Sequence, residues 1–202
     1  MFLRHYALLT AALAFAPLSA SAAPAVDQPA PAFTANTADG KTISLDSLKG
    51  KTVVLEWTNH DCPFVRKHYD SGNMQGLQKE AATKGTLWLQ VISSAPGKQG
   101  HVDAATAARL NSARNAAPAQ VILDPEGKLG KLYDAKTTPH MYIIDTKGTL
   151  VYKGGIDSLA TADKADIAKA EPYVANALRA LAARQKIATN NTKPYGCSIK
   201  YE

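Results

Sequence analysis

Short apolar runs bounded by glycine, proline and asparagine alternate along this chain with stretches whose apolar residues recur at helical spacing. Residues 52–57 hold the run Val53-Val54-Leu55, and residues 86–92 (TLWLQVI) set Leu87, Leu89 and Val91 on one side with Trp88 on the other. Both predict buried strands. Residues 120–123 and 141–144 predict two more, the second joined by a turn at 145–148 to a partner strand at 149–153. Ahead of them, Asp39-Gly40 closes an N-terminal hairpin between a strand opening at Phe33 and the alternating residues 41–45. Helical spacing begins at Pro63, breaks at Ser71-Gly72-Asn73 and resumes over 74–83. Asp103 is placed to cap a helix reaching about residue 116 before Pro118, and further helices are predicted at 128–133 and 171–185.

A hairpin, then strands and helices in alternation, then a second hairpin and a last helix predict an α/β fold with a central mixed β-sheet and helices on both faces. Residues 23–202 read as one domain. Within it, residues 186–202 form a polar tail that ends PYGCSIKY, a composition unlike that of a disordered terminus.

The first 22 residues stand apart from this alternation. Arg4 and His5 precede an apolar core at 6–18, and Ala20-Ser21-Ala22 offers a small-residue cleavage site, the pattern of a secretory signal peptide. That apolar core is short for a membrane span, so the expectation is a periplasmic or secreted protein with no membrane attachment after cleavage near Ala22. Losing Arg4 lowers the formal charge from +6 to +5. The lysines and arginines are interleaved with acids, and no basic run carries interleaved aromatics, which argues against a nucleic-acid partner. The residues point to no cofactor. Export would place the two cysteines, Cys62 and Cys197, in an oxidising compartment, where they read either as a structural disulfide or as a redox pair.

Cys62 has the more informative surroundings. It follows the predicted strand 52–57 through a polar turn and precedes Pro63, which suits a first helical position because its missing N–H would be unpaired there anyway. A sulfur at that point lies among free backbone N–H groups at the positive end of a helix, a setting that favours thiolate. Arg66, Lys67 and His68 add positive charge nearby and Asp61 opposes it, so Cys62 reads as a nucleophile or, alternatively, as a small buried hydrophobe.

The stretches PAPAFTANTADGKTISL, NHDCPFVRKHY and ILDPEGKLGKLYDAKTTPHMYIIDTKGTLVYKGGID resemble the thioredoxin-fold superfamily, and more closely its redoxin, peroxiredoxin-like (AhpC/TSA-like) branch, over about residues 28–202. The resemblance implies a thioredoxin-like fold and assigns Cys62 to the first cysteine of the CxxC motif, with Val65 where the second would stand. It likewise matches Glu56 to the buried strand acid that assists proton transfer, and Thr138-Pro139 to the cis-proline beside the active site. Peroxiredoxins carry a Pro and a Thr or Ser ahead of the reactive cysteine; Leu55 and Asn59 stand there instead, which argues against peroxidase chemistry.

Three functions remain open on the sequence. In the first, Cys62 attacks a protein disulfide or a small peroxide and Cys197 resolves the product, with His60, His68 and Glu56 competing as proton handlers. In the second, Cys62 holds copper with one or more of His60, His68 and His140. The third is a redox-inert binding module whose disulfide staples the tail. A loop of about 135 residues closed by such a staple would stabilise by roughly 4 to 5 kcal/mol on the chain-entropy model.

Overall fold

A computed structural model describes residues 23–202, and the expected signal peptide lies outside them. The N-terminal hairpin pairs β1 (Thr34–Asn36) with β2 (Thr42–Ser44). Its turn holds together because Thr37 Oγ1 accepts the Lys41 N–H at 3.1 Å while Gly40 takes φ +79°, a value that glycine adopts without strain. β3 (Val53–Trp57) follows, then α1 (Pro63–Asp70) and α2 (Asn73–Thr83). These two helices are separated where the sequence breaks the helical pattern, at Gly72 with φ +79°. β4 (Leu87–Ile92), α3 (Ala104–Ala113), β5 (Gln120–Leu123) and α4 (Lys128–Leu132) continue the alternation. The chain ends through β6 (Thr137–Thr138), β7 (His140–Ile144), β8 (Leu150–Gly154), α5 (Tyr173–Ala182) and β9 (Cys197–Ser198). Among the described residues no helix is long and apolar enough to cross a membrane.

The central sheet has the order β5-β4-β3-β7-β8, with β3 and β4 parallel, β4 and β5 parallel, and β7 antiparallel to both β3 and β8. β3 is therefore central, and each of its five residues is buried. Its alternating side chains separate two cores. Val53, Leu55 and Trp57 face the hairpin, α4 and Ile199 of the tail, while Val54 faces Val65 and Tyr69 of α1, Met74 of α2 and Val174 of α5. Helices thus lie on both faces, as expected, and the short α4 shares its side with the hairpin. Trp57 packs against Tyr133 and Tyr142, with ring centroids 5.6 and 5.1 Å away, and donates Nε1–H to Ser93 Oγ at 3.0 Å.

Three boundaries differ from the sequence reading by two residues or more. α3 stops at Ala113 because Asn115 takes φ +53°, and α5 starts after Pro172 and stops before Arg184 at φ +56°. The pairing of β6 with β9, Thr138 opposite Cys197, lies outside any local pattern because it joins two-residue segments far apart in the chain.

His140 in β7 accepts the Lys136 N–H on Nδ1 at 3.2 Å and stacks on Tyr142 at 4.5 Å between centroids. Burial depresses its pKa to about 3. A histidine depressed in the fold takes up its proton more readily once unfolded, so its contribution to stability falls as pH drops below about 6.5. By about pH 5 the loss is roughly 2 kcal/mol. Urea titrations of wild type and His140→Gln over this range should show the shallower pH slope in the variant, and equal slopes would contradict this assignment.

Candidate functional site

β3, at the middle of the sheet, delivers the chain through Thr58–Asp61 to Cys62, the N-cap of α1, with Pro63 at the first helical position. Asn59 makes the turn: its side-chain Oδ1 accepts the Asp61 N–H at 2.9 Å and its carbonyl accepts the Cys62 N–H at 3.1 Å. Asn59 is thus spent on backbone geometry. Gly100 packs so closely on its side chain that a Cβ at Gly100 would lie 2.4 Å from Asn59 Cγ.

Two further elements converge on the sulfur. The Thr138-Pro139 peptide is cis, and the Thr138 carbonyl oxygen lies 3.1 Å from Cys62 Sγ. β9, paired with β6, brings Cys197 Sγ to 2.8 Å from Cys62 Sγ, both as free thiols. Gly196 permits this approach; its φ is +127° and a Cβ there would meet the Thr138 oxygen at 2.0 Å. Cys62 is fully buried while Cys197 is partly exposed.

The pair is electrostatically unequal. Burial pushes the Cys62 thiol up, but hydrogen bonding to Cys197, through its thiol and its backbone, outweighs burial with smaller help from Thr138 and the Val65 backbone, and the net displacement is downward. Cys197 moves the other way, to about 11, through burial and the same contact with Cys62. Of the two thiols, Cys62 ionises more readily and Cys197 holds its proton more tightly. The cations of α1 contribute less than the sequence suggested. Arg66 points to solvent with Nε 3.8 Å from Asp70 Oδ2, and Lys67 is paired with Asp157 at 3.2 Å.

The remaining candidates lie elsewhere. Glu56 is fully buried on the sheet face covered by α1 and α2, where it accepts from Trp88 Nε1 at 2.7 Å and from Tyr69 Oη at 2.8 Å. Burial pushes its carboxyl up, against the Trp88 hydrogen bond and the charge of Arg114. Among the described residues no hydrogen bond joins Glu56 to either sulfur. His60 sits 3.3 Å from Asp61 at the turn, and His68 is buried against Tyr195 at 3.2 Å. With His140 in β7, the three histidines are dispersed, and the described residues gather no cluster of three or more His, Cys, Asp or Glu side chains.

Asp157 had no signal in the sequence, and Tyr195 had only that of a tail whose ending, PYGCSIKY, is unlike a disordered terminus. Tyr195 Oη donates to Asp157, whose other carboxylate oxygen faces Lys67, so a buried ion pair between α1 and the segment after β8 touches the tail two residues before Cys197. A lysine and a histidine inside the buried face of a helix are the only local hint, since such groups are rarely buried without partners.

The family model for AhpC/TSA matches residues 26–153, and the chain belongs to that family. Its fold is that of thioredoxin-like proteins. An uncharacterized conserved protein of Geobacillus kaustophilus superposes with a TM-score of 0.73 at 23% identity, over 88% of this chain and 93% of that one. A hypothetical protein of Sinorhizobium meliloti 1021 gives 0.73 at 19%, over 90% and 97%. A putative thiol:disulfide interchange protein DsbE of Chlorobium tepidum gives 0.53 at 22%, over 65% and 85%. At these identities the likeness is one of fold. No protein of curated function matches this chain.

Because Cys197 supplies the main opposition to burial, Cys197→Ala should raise the Cys62 pKa, moving the midpoint of its alkylation rate against pH upward. An unchanged midpoint would show that the Cys62 thiolate owes nothing to Cys197.

Proposed function

We propose that this protein is an exported thiol-disulfide oxidoreductase in which Cys62 is the nucleophile and Cys197 the resolving cysteine. The observation that carries this reading is the 2.8 Å approach of the two sulfurs beside the cis Thr138-Pro139 bond. Closing to a disulfide, about 2.05 Å between sulfurs, requires a shift of under about 1 Å. The Cys62 thiolate attacks one sulfur of a substrate disulfide, a new S–S bond forms to Cys62, and the other substrate sulfur departs as a thiolate. Cys197 then gives up its proton to solvent and attacks Cys62 Sγ. The second substrate thiolate leaves, and the protein is oxidised by the two electrons the substrate gains. Thr138 and Pro139 lie against Cys62, with the Thr138 carbonyl oxygen 3.1 Å from its sulfur, and would position a substrate sulfur arriving there.

Export rests on the residue pattern of positions 1–22, and a protein disulfide suits the thioredoxin-like fold. Membership of the AhpC/TSA family favours a second reading, in which Cys62 is oxidised by a small peroxide to a sulfenic acid and Cys197 expels water. Leu55 and Asn59 weigh against it: one is a core residue of β3 and the other is tied into the turn.

Cys62→Ser should abolish turnover of a disulfide substrate. Cys197→Ser should instead accumulate a mixed disulfide on Cys62, visible by intact mass, with turnover lowered at least about 10-fold. A Cys197→Ser protein that turns over at the wild-type rate would remove the resolving role. Faster oxidation of Cys62 by peroxide than by disulfide would shift the reading to the second chemistry.

A further inference from the structure

The tail that covers Cys62 is tied to α1 by a group of buried polar side chains that the thiol chemistry leaves unused. Lys67 and His68, one turn beyond Cys62, have fully buried side chains. Asp157, between β8 and α5, is 5% exposed; one carboxylate oxygen is 3.2 Å from Lys67 Nζ and 3.7 Å from His68 Nε2. Its other oxygen accepts the Tyr195 hydroxyl and the Leu159 N–H. Asn73 Nδ2 lies 2.8 Å from His68 Nδ1, which makes Nδ1 the acceptor and leaves the proton on Nε2, facing Tyr195 Oη at 3.2 Å. The Tyr195 hydroxyl therefore accepts from His68 and donates to Asp157, and its ring packs edge-on to Phe64 at 5.9 Å.

A buried ion pair is costly to assemble and adds little stability that apolar residues would not supply. What this one does hold is Tyr195, after which Gly196 and Cys197 run directly onto Thr138. Cys62 lies beneath this segment with no exposed surface, whereas Cys197 retains some.

We propose that Tyr195 is a latch, a positioning residue whose hydroxyl, held by Asp157 and His68, keeps the tail closed over Cys62, so that a bulky outside thiol meets Cys197 first. This rests on the reading of Cys62 and Cys197 as a redox pair. With the pair bridged, an incoming thiolate from a thiol reductant attacks Cys197 Sγ; the new bond forms there, the Cys62–Cys197 bond breaks, and Cys62 leaves with the electron pair as thiolate. A second reductant thiolate attacks the reductant sulfur of that mixed disulfide, releasing Cys197 as a thiolate, which takes a proton from solvent, and an oxidised reductant disulfide. The latch selects the sulfur that is reached. A polypeptide substrate gains access to Cys62 when Tyr195 releases.

The test compares alkylation of Cys62 in the reduced full chain by N-ethylmaleimide and by a polyethylene-glycol maleimide, in wild type, Tyr195→Phe and Asp157→Asn. In Tyr195→Phe the rate for the bulky reagent should rise roughly 10- to 100-fold, the range set by losing one hydrogen bond to a charged group. The small reagent should change much less. Hydrogen exchange gives the second readout: the Ile199 amide, bonded to the Lys136 carbonyl at 3.0 Å, should lose protection while amides of β3 keep theirs. Unchanged bulky-reagent rates with unchanged Ile199 protection would overturn the latch. So would exchange accelerated equally in β3, which would mark global destabilisation. Both readouts are taken on the reduced chain, so the latch can fail while the redox pair stands, and the reverse.

Discussion

The antiparallel pairing of Thr138 with Cys197 joins segments 59 positions apart and, across the cis-proline turn, presents Cys197 to a cysteine 135 positions before it. Without that pairing Cys62 would be a buried thiol at a helix start, pushed up by burial and opposed only by the smaller Thr138 and Val65 hydrogen bonds. With it, Cys62 acquires the contact that reverses its shift, and the same contact raises Cys197. Activation of one thiol and protection of the other are thus two consequences of one short strand pair.

The rest of the fold is arranged so that this pair can form. Placing β3 at the centre of the sheet brings Cys62 out beside β7, whose antiparallel pairing with β3 puts His140 opposite Trp57 and carries Thr138-Pro139 to the same edge. The tail is then fastened on the far side of the site as well. Ile199 joins the core between the hairpin and the sheet, Tyr201 donates its hydroxyl to the Ala135 carbonyl at 2.9 Å, and Gly127 and Gly130 leave room for its ring. Such attachments on both sides of Cys197 fix it far better than a free terminus would.

Most of this architecture is legible from local pattern. The runs at Val53-Val54-Leu55 and at residues 86–92 predict the central strands because their side chains are buried on both faces. Asp103 caps α3 through the Thr106 N–H at 2.7 Å, as its position before the alanine-rich stretch implies. Cys62 at a helix start follows from Pro63 alone, and Thr138-Pro139 from the family resemblance. The partners of the basic flank of α1 are not legible, because charge on a helix surface and charge buried against a partner look identical in sequence. Lys67 is paired with Asp157, 90 positions away, and no local periodicity records such a distance. Tyr195 and the β6–β9 pairing escape for the same reason. Glu56 marks the intermediate case: its burial in β3 is readable, but its commitment to Trp88 and Tyr69 is a matter of tertiary geometry.

In the proposed function Cys62 and Cys197 exchange electrons with outside thiols rather than stapling the tail. Equilibrating the mature protein in dithiothreitol buffers of graded potential, followed by peptide mapping of the two cysteines, measures it directly. A Cys62–Cys197 bridge should open at or above about −270 mV, in the range of exchange enzymes, because readier ionisation of Cys62 favours the reduced form. A bridge that survives below about −300 mV, or two cysteines that never pair, would contradict it.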